Sequence, residues 1–433
     1  MLTLGGAGCA SYSETIRDME NQLANKNPAA ALRLLDDRSA FRRDDALYYL
    51  NKAIFLRMQG DFVASNTAFE TAKAQIDARA ATSLSEQAGS LVINEGVKSF
   101  IGEDFERALI HLYAALNYLQ LDQPYEARVE VLQVDLFLQE LAKQKSDDPR
   151  SYSEDAFCRY LAGMVYENLG EWSDALISYR KAFEAYRRYE ALYGVAVPEA
   201  LQADLLRLTD QQGLNDERDS YAKQFGLSNW QTFDEWKKKG EIVVLLHNGL
   251  APVKQSQVTR FPALHSGQLI SVALPAYQRR FNPVQKVLFE VDSKTADATP
   301  VQNIEGIAIR SLEDRLPGLT AKAIARATSK YNLTRHSNQQ GGELVGLVVN
   351  IAGALTEVAD TRAWFSLPSQ IYMARVSIPP GHYTGTLRIL GRGDLPLDLQ
   401  FVDSIEVKRG KKTFIDRHWI SPQSLYTRGR LNH

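Results

Sequence analysis

Between residues 163 and 182 the chain carries a spacing that dictates where two backbones touch. Gly163, Tyr166, Gly170, Ala175, Tyr179 and Ala182 fall in the stretch Ala-Gly-Met-Val-Tyr-Glu-Asn-Leu-Gly-Glu-Trp-Ser-Asp-Ala-Leu-Ile-Ser-Tyr-Arg-Lys-Ala-Phe. Apolar positions recur at helical intervals on both sides of Gly170, which predicts two helices meeting at a turn centred there. Gly163 and Ala175 present almost no side chain, so the pair approaches closely at those points.

The same offsets return upstream at Ala53, Leu56, Gly60, Ser65, Phe69, Ala72 and again at Gly96, Ser99, Ala108, Leu112, Ala115, the latter with its turn displaced by one place at Gly102-Glu103-Asp104-Phe105. Tyr125-Glu126-Ala127 opens a further helix to about Leu141, and Pro28-Ala29-Ala30-Ala31-Leu32 reads as a degenerate first unit. This pattern resembles the tetratricopeptide repeat, a helical hairpin that buries its apolar seam only by stacking on neighbours. Stacking implies a concave inner surface suited to holding another polypeptide. Tyr48, Tyr49, Tyr113, Tyr118, Tyr186, Tyr189 and Tyr193 either line that surface or, the weightier reading, pack between helices.

Charge and proline divide the chain at one place. Residues 1–240 hold 27 Lys and Arg against 37 Asp and Glu, a net −10; residues 241–433 hold 23 against 15, a net +8. Of the 15 prolines, four (Pro28, Pro124, Pro149, Pro198) precede Gly240 and eleven follow it. Proline is excluded from helix interiors, so the first part is expected to be helical and the second rich in strands and turns. The total of −2 argues against a dedicated nucleic-acid binder.

After Glu241 short apolar runs alternate with turn residues: Ile242–Leu246, Leu269–Leu274, Val287–Val291, Ile304–Arg310, Ile371–Ile378, Tyr383–Leu390, Leu397–Val407 and Lys412–Asp416. These read as strands of a β-sandwich, with Lys408-Arg409-Gly410-Lys411 as a hairpin tip. An amphipathic helix over 312–331 and an apolar one over 344–355 form a helical-hairpin insertion, placed at about 311–359. The apolar core of the second, about 12 residues, is too short to cross a bilayer. The expected fold class is α+β and multidomain: an anchor over 1–10, a tetratricopeptide-like α-solenoid over 11–240, and a β-sandwich-like domain over 241–433.

At the amino terminus, Leu2-Thr-Leu-Gly-Gly-Ala-Gly before Cys9 resembles the end of a bacterial lipoprotein signal, with Cys9 as the acylated residue. The other reading is an unprocessed terminus with an incidental cysteine. Cys158 sits on an apolar helical stretch and is expected to be a buried thiol.

Arg260-Phe261-Pro262, Ser271-Val272-Ala273-Leu274-Pro275 with Tyr277, and Ala359-Asp360-Thr361-Arg362-Ala363-Trp364 followed by Leu367-Pro368, Ala374-Arg375 and Pro379-Pro380-Gly381-His382-Tyr383 together resemble a family of bacterial lipoproteins that join tetratricopeptide-like repeats to a β-rich C-terminal domain. Members are often encoded beside small lipoproteins of the penicillin-binding-protein-activator type. The resemblance implies an outer-membrane, lipid-anchored position on the periplasmic side of the envelope, with protein partners there. From the residues themselves, Asp360 and Arg362 are placed for a bidentate pair that locks the apolar helix to the sheet, with Trp364 in the same motif.

Signatures of catalysis are missing: no Gly-x-Ser-x-Gly elbow, no phosphate-binding Gly-rich loop, no His-Glu-x-x-His and no Cys-x-x-Cys. The seven histidines are scattered without ligand spacing, so no metal or cofactor is expected. The reading that follows is a non-enzymatic envelope scaffold or adaptor that grips partners in its concave surface and forms oligomers. The alternatives are an envelope glycan hydrolase with an interdomain site, for which Glu313-Asp314 are available, and a membrane-associated pore or secretion component.

Overall fold

A computed structural model describes residues 7–37, 45–86, 100–145, 152–262, 269–341 and 359–422. Helices come first: α1 (Ala7–Ala24), α2 (Pro28–Asp37), α3 (Asp45–Met58), α4 (Phe62–Glu86), α5 (Asp104–Gln120), α6 (Pro124–Gln144), α7 (Ala156–Leu169), α8 (Trp172–Tyr193), α9 (Glu199–Gln211), α10 (Asn215–Phe225) and α11 (Phe233–Lys238). Helix α7 starts where the Asp155 carboxylate accepts the Cys158 N–H and stops at Gly170, whose φ of 84° an L side chain resists. At Gly163 an added Cβ would lie 2.3 Å from the Tyr179 ring, so glycine is what lets α7 and α8 touch. The Tyr179 hydroxyl then donates to Glu167 at 2.6 Å. Hairpin α3/α4 repeats the arrangement, with the Ser65 hydroxyl donating to the Ala53 carbonyl at 2.8 Å. The upstream arm expected at Gly96–Ser99 lies outside the described residues, and α5 pairs instead with α6 through a turn at Asp122, φ 54°.

Helix gives way to strand at Gly240. The strands are β1 (Gly240–Asn248), β2 (Val253–Pro262), β3 (Leu269–Gln278), β4 (Lys286–Val291), β5 (Lys294–Asp297), β6 (Thr299–Asn303), β7 (Gln370–Ile378), β8 (Gly381–Leu390), β9 (Pro396–Val407) and β10 (Lys412–Trp419). Among the described residues one sheet runs β10-β1-β7-β6, a second runs β5-β4-β8-β9, and a third pairs β2 with β3. The two four-stranded sheets share a core: Ile242, Val244 and Leu246 of β1 and Ala374, Val376 and Ile378 of β7 meet Val287, Phe289, Leu387, Ile389, Val402 and Ile405.

The opposite face of the first sheet is also buried. Val243, Leu245, Val301, Ile371, Met373 and Phe414 belong to one apolar cluster with the inner residues of α1 to α9. Burial on both faces explains why β1 reads as an unbroken Ile-Val-Val-Leu-Leu run rather than an alternating one. The inner surface of the helical stack therefore holds the chain's own sheet, and the expectation of a concave surface open to a partner is corrected. Tyr113, Tyr186, Tyr189 and Tyr193 are buried, and the Tyr186 hydroxyl donates to the Val301 carbonyl at 2.9 Å.

Other expectations are also corrected. Ile304–Arg310 is not a strand but the start of α12 (Ile304–Gly341), capped by Asn303, whose side chain accepts the Gly306 N–H at 2.9 Å. Helix α12 packs Ala323 against Val272 and Leu274 of β3. Lys408–Lys411 is not a hairpin tip, because β9 and β10 belong to different sheets. The apolar arm over 344–355 lies outside the described residues. Cys9 falls in the first turn of α1, and its side chain is likewise not among those described.

Candidate functional site

Strand alternation aims one row of side chains from each strand of the first sheet at the helices: Glu241, Val243, Leu245 and His247 from β1, Lys412, Phe414, Asp416 and His418 from β10, Met373 and Arg375 from β7. Their polar members gather in two clusters at the helix–sheet junction.

Asp416 centres the first. Its carboxylate accepts from the Arg57 guanidinium and from His247 Nε2 at 2.8 Å, while His418 Nε2 lies 3.4 Å away. The Tyr113 hydroxyl is 3.2 Å from His247 Nδ1, and Arg57 also donates to Asn117, whose amide donates to Ser65 and Asn66 at 2.8 Å each. In this network His247 Nε2 can donate to Asp416 while Nδ1 accepts from the Tyr113 hydroxyl. Burial pushes the Asp416 carboxyl up, but Arg57 and His247 outweigh it and hold it well below the usual range. Burial pushes His418 down to about 4.

The second cluster balances three cations against three carboxylates. Arg375 bridges Asp204 and Glu241, Lys412 bridges Glu241 and Glu167, and Arg207 bridges Glu167 and Asp204. Tyr160 donates to Asp204, and the Trp236 ring lies under Arg207 and Lys412 at 4.6 and 5.1 Å. Against the pull of burial, Arg375 and Lys412 hold the Glu241 carboxyl far below its ordinary value, and Arg375 with Arg207 lowers Asp204.

The motif around Trp364 caps the junction near α5. Its ring is 1 % exposed and stands edge-on to Phe69 and Tyr113, at 5.9 and 6.1 Å. The Trp364 backbone N–H donates to Glu106 at 2.8 Å, and burial, with Glu103 nearby, pushes that carboxyl up to about 7. Asp360 and Arg362 form the bidentate pair, both contacts 2.8 Å, but within one turn in which the Arg362 N–H also donates to Asp360. The pair is part-exposed, at 30 and 15 %, and braces its own loop; the helix it was expected to lock lies outside the described residues.

Tyr113, His247 and Asp416 follow one another in the order of an acid–base relay, yet they are 0, 1 and 9 % exposed, so no substrate reaches them. Burial also raises the Tyr113 hydroxyl well above its usual value. His247, Asp416 and His418 bring three ligand atoms within 4.8 Å of one another. Two features oppose a metal ion. The His247 and His418 rings stack at 4.6 Å and 20°, so their lone pairs run side by side instead of converging, and the Arg57 guanidinium already holds the cation's position on Asp416. The histidines are thus not all scattered, because the parallel β1–β10 register pairs two of them. Glu313 and Asp314 both turn to Arg310, at 3.8 and 3.2 Å, and form no paired acid–base site. Of the basic run at 408–412, Lys412 is wholly buried in the second cluster and Lys408 pairs with Asp122.

Sequence reasoning missed Arg57, Asp204 and Asp416, placed Arg375 only within the family motif, and counted His247 only among scattered histidines. The available signal was a polar side chain inside an apolar strand: Arg375 between Ala374 and Val376, Asp416 after Phe414-Ile415. Such a residue survives burial only when paired.

No protein-family model matches the chain, and a search of curated proteins gives no match. Among solved structures the chain is similar to one described as "MamA RS-1 ArsTM double mutant", with a TM-score of 0.31 and 14 % identity over 52 % of this chain and 93 % of that one, a likeness too slight to carry an argument.

Proposed function

We propose that this chain is a non-enzymatic, lipid-anchored assembly protein of the bacterial cell envelope, with a tetratricopeptide-like helical half wrapped around its own β-sandwich and partners held on its outer surface. The observation that carries the reading is the closed junction: the inner face is filled, and its histidine, tyrosine and carboxylate groups are consumed in buried, charge-balanced contacts. A hydrolase needs such groups open to solvent. Lipid attachment rests on the sequence before Cys9, and the envelope position on the family resemblance.

Crosslinking in intact cells, followed by capture of the chain and mass spectrometry, tests anchor and partners together. Acylated Cys9 peptides and recurrent crosslinks from the outer faces of the helices are the expected result. Crosslinks confined to the inner faces, or turnover of envelope glycan that is lost with His247→Ala, would overturn it.

A further inference from the structure

Helix α12 takes part in two cores. Near its start Ile304, Ile307 and Ala308 belong to the apolar cluster shared by the helices and the first sheet. Farther along, Ala323 joins Val272 and Leu274 of β3 in a separate small core, with Leu316, Ile324 and Ala327 packed against it. The change of core falls between Ala308 and Leu316, and Pro317 stands at that place inside the helix. Proline has no N–H for the Glu313 carbonyl and its ring crowds that carbonyl, so the helix is least braced over residues 313–317. Gly318 follows on the surface, and a Cβ added there would meet nothing within 4 Å.

The ribbon beside it is interrupted at the same level. Pro275 of β3, opposite Ser256 of β2, also has no N–H to give. It lies next to Leu274, which shares the small core with Leu316, the neighbour of Pro317. Just nearer the body the register pairs Lys254 with Tyr277, and there the ribbon is held. Lys254, 6 % exposed, donates to Glu103 at 2.9 Å and lies 5.5 Å from the centre of the Tyr277 ring. Arg315 of α12 donates to the same carboxylate at 2.6 Å. A single side chain at the head of α5 thus clamps ribbon and helix together at their root.

We propose that β2, β3 and the far half of α12 form a lever that swings as one body about Pro275 and residues 313–317, with Glu103 as the clamp that limits the swing. A two-stranded hairpin is marginal alone, and the helix laid on it supplies the core that keeps the lever in one piece. Swinging re-aims the ribbon's outer face, where Val258 is 66 % exposed opposite Ala273, relative to the rest of the molecule. Ser271 is about 13 Å from Pro275 at the rise of a strand, so a bend of about 20° displaces it by roughly 5 Å. This motion is independent of what the chain binds.

Pulsed electron paramagnetic resonance on the purified full chain reads the swing. In a Cys9→Ser background, nitroxides at Ser271→Cys and at Glu140→Cys on α6 report the lever against the body. Glu140→Cys with Glu184→Cys on α8 gives the reference within the body; all three side chains are on the surface. The expected distance distribution for the lever pair is wider than the reference by about 5 Å or more. Pro317→Ala, which restores the missing N–H at an exposed position, narrows it, as does Gly318→Ala, whereas Glu103→Gln, which removes the charge of the clamp, widens it. Amide hydrogen exchange shows that the lever moves whole: Val272, Leu274 and Ala323 should stay protected throughout. A lever pair as narrow as the reference, a width that either Pro317→Ala or Glu103→Gln leaves unchanged, or unprotected amides at Val272 and Ala323 in the unaltered chain would overturn the proposal.

Discussion

Removing the Arg57 guanidinium while leaving Asp416 in place strikes the helix–sheet junction at its most enclosed point. The two side chains are 0 and 3 % exposed, and Arg57 also satisfies Asn117. Arg57→Met keeps the length and strips the charge. What remains is a buried carboxylate with His247 Nε2 at 2.8 Å and His418 Nε2 at 3.4 Å. Deleting one member of a buried pair costs about 3–5 kcal/mol, mostly through the charge left behind. That cost depends on pH, because with Arg57 gone burial raises the Asp416 carboxyl and a proton there can replace the lost cation. The variant's junction therefore binds a proton more tightly than the unfolded chain does. A raised folded-state pKa supplies stability below the unfolded value and loses it as pH rises. The expected penalty is thus the full 3–5 kcal/mol near pH 8 and smaller by about 1–2 kcal/mol near pH 5.5. Adding Asp416→Asn removes the orphaned charge and should recover part of the loss. Urea denaturation followed by far-ultraviolet circular dichroism measures all of this, with one transition expected because both halves share a core. A loss under about 1 kcal/mol, a penalty flat with pH, or a double variant as damaged as the sum of the singles would refute the reasoning.

Two titrations should oppose each other in the unaltered protein. His418, held down near 4 by burial, gives stability that is complete above its unfolded value of about 6.5 and lost as pH falls toward 4, up to about 3 kcal/mol. Glu106, pushed up to about 7, acts in the reverse sense, with stability lost as pH climbs from 4.5 through 7, so Glu106→Gln should unmask the histidine slope and His418→Asn the carboxyl slope in pH-resolved melts. Gly163→Ala should cost about 1–3 kcal/mol or more by driving a methyl into the Tyr179 ring, whereas Gly318→Ala on α12, which meets nothing within 4 Å, should be neutral or slightly stabilising in the same denaturation assay. Trp364→Ala should cost about 3–5 kcal/mol, but Asp360→Ala less than about 1, since the first empties a packed site and the second breaks a part-exposed pair; equal losses would contradict that division.

The helical hairpins were legible because their constraint is local. Gly163, Gly170 and Tyr179 lie within one stretch, and a backbone approach that only glycine permits leaves its mark there. Most strands were legible for a similar reason, since an apolar run of five to nine residues declares itself. Strand β2 did not, because Lys254-Gln255-Ser256-Gln257 carries no apolar alternation and, among the described residues, pairs only with β3. The start of α12 was misread because Ile304, Ile307 and Ala308 suit a strand as well as a buried helix face, although Asn303 was a capping signal in plain view. The junction clusters were not legible. His247 and His418 meet only through the parallel register of β1 with β10, and Arg375 finds Asp204 only once the helices have closed on the sheet. Trp364 was noticed as part of a motif, but its partners Phe69 and Tyr113 lie in the other half of the chain.

Pairing of β1 with β10 also sets a timetable for biogenesis. During translation the helices emerge first, and the strand that completes their filling, Lys412–Trp419, is made after every other strand of its sheet. At about 5–20 residues per second, the stretch from Gly240 to Trp419 takes roughly 10–35 s to synthesise. Throughout that interval the greasy lining around Phe69, Tyr113 and Tyr160 has no cover, and a ribosome-bound or translocating chain would depend on a holdase until its final strand arrives.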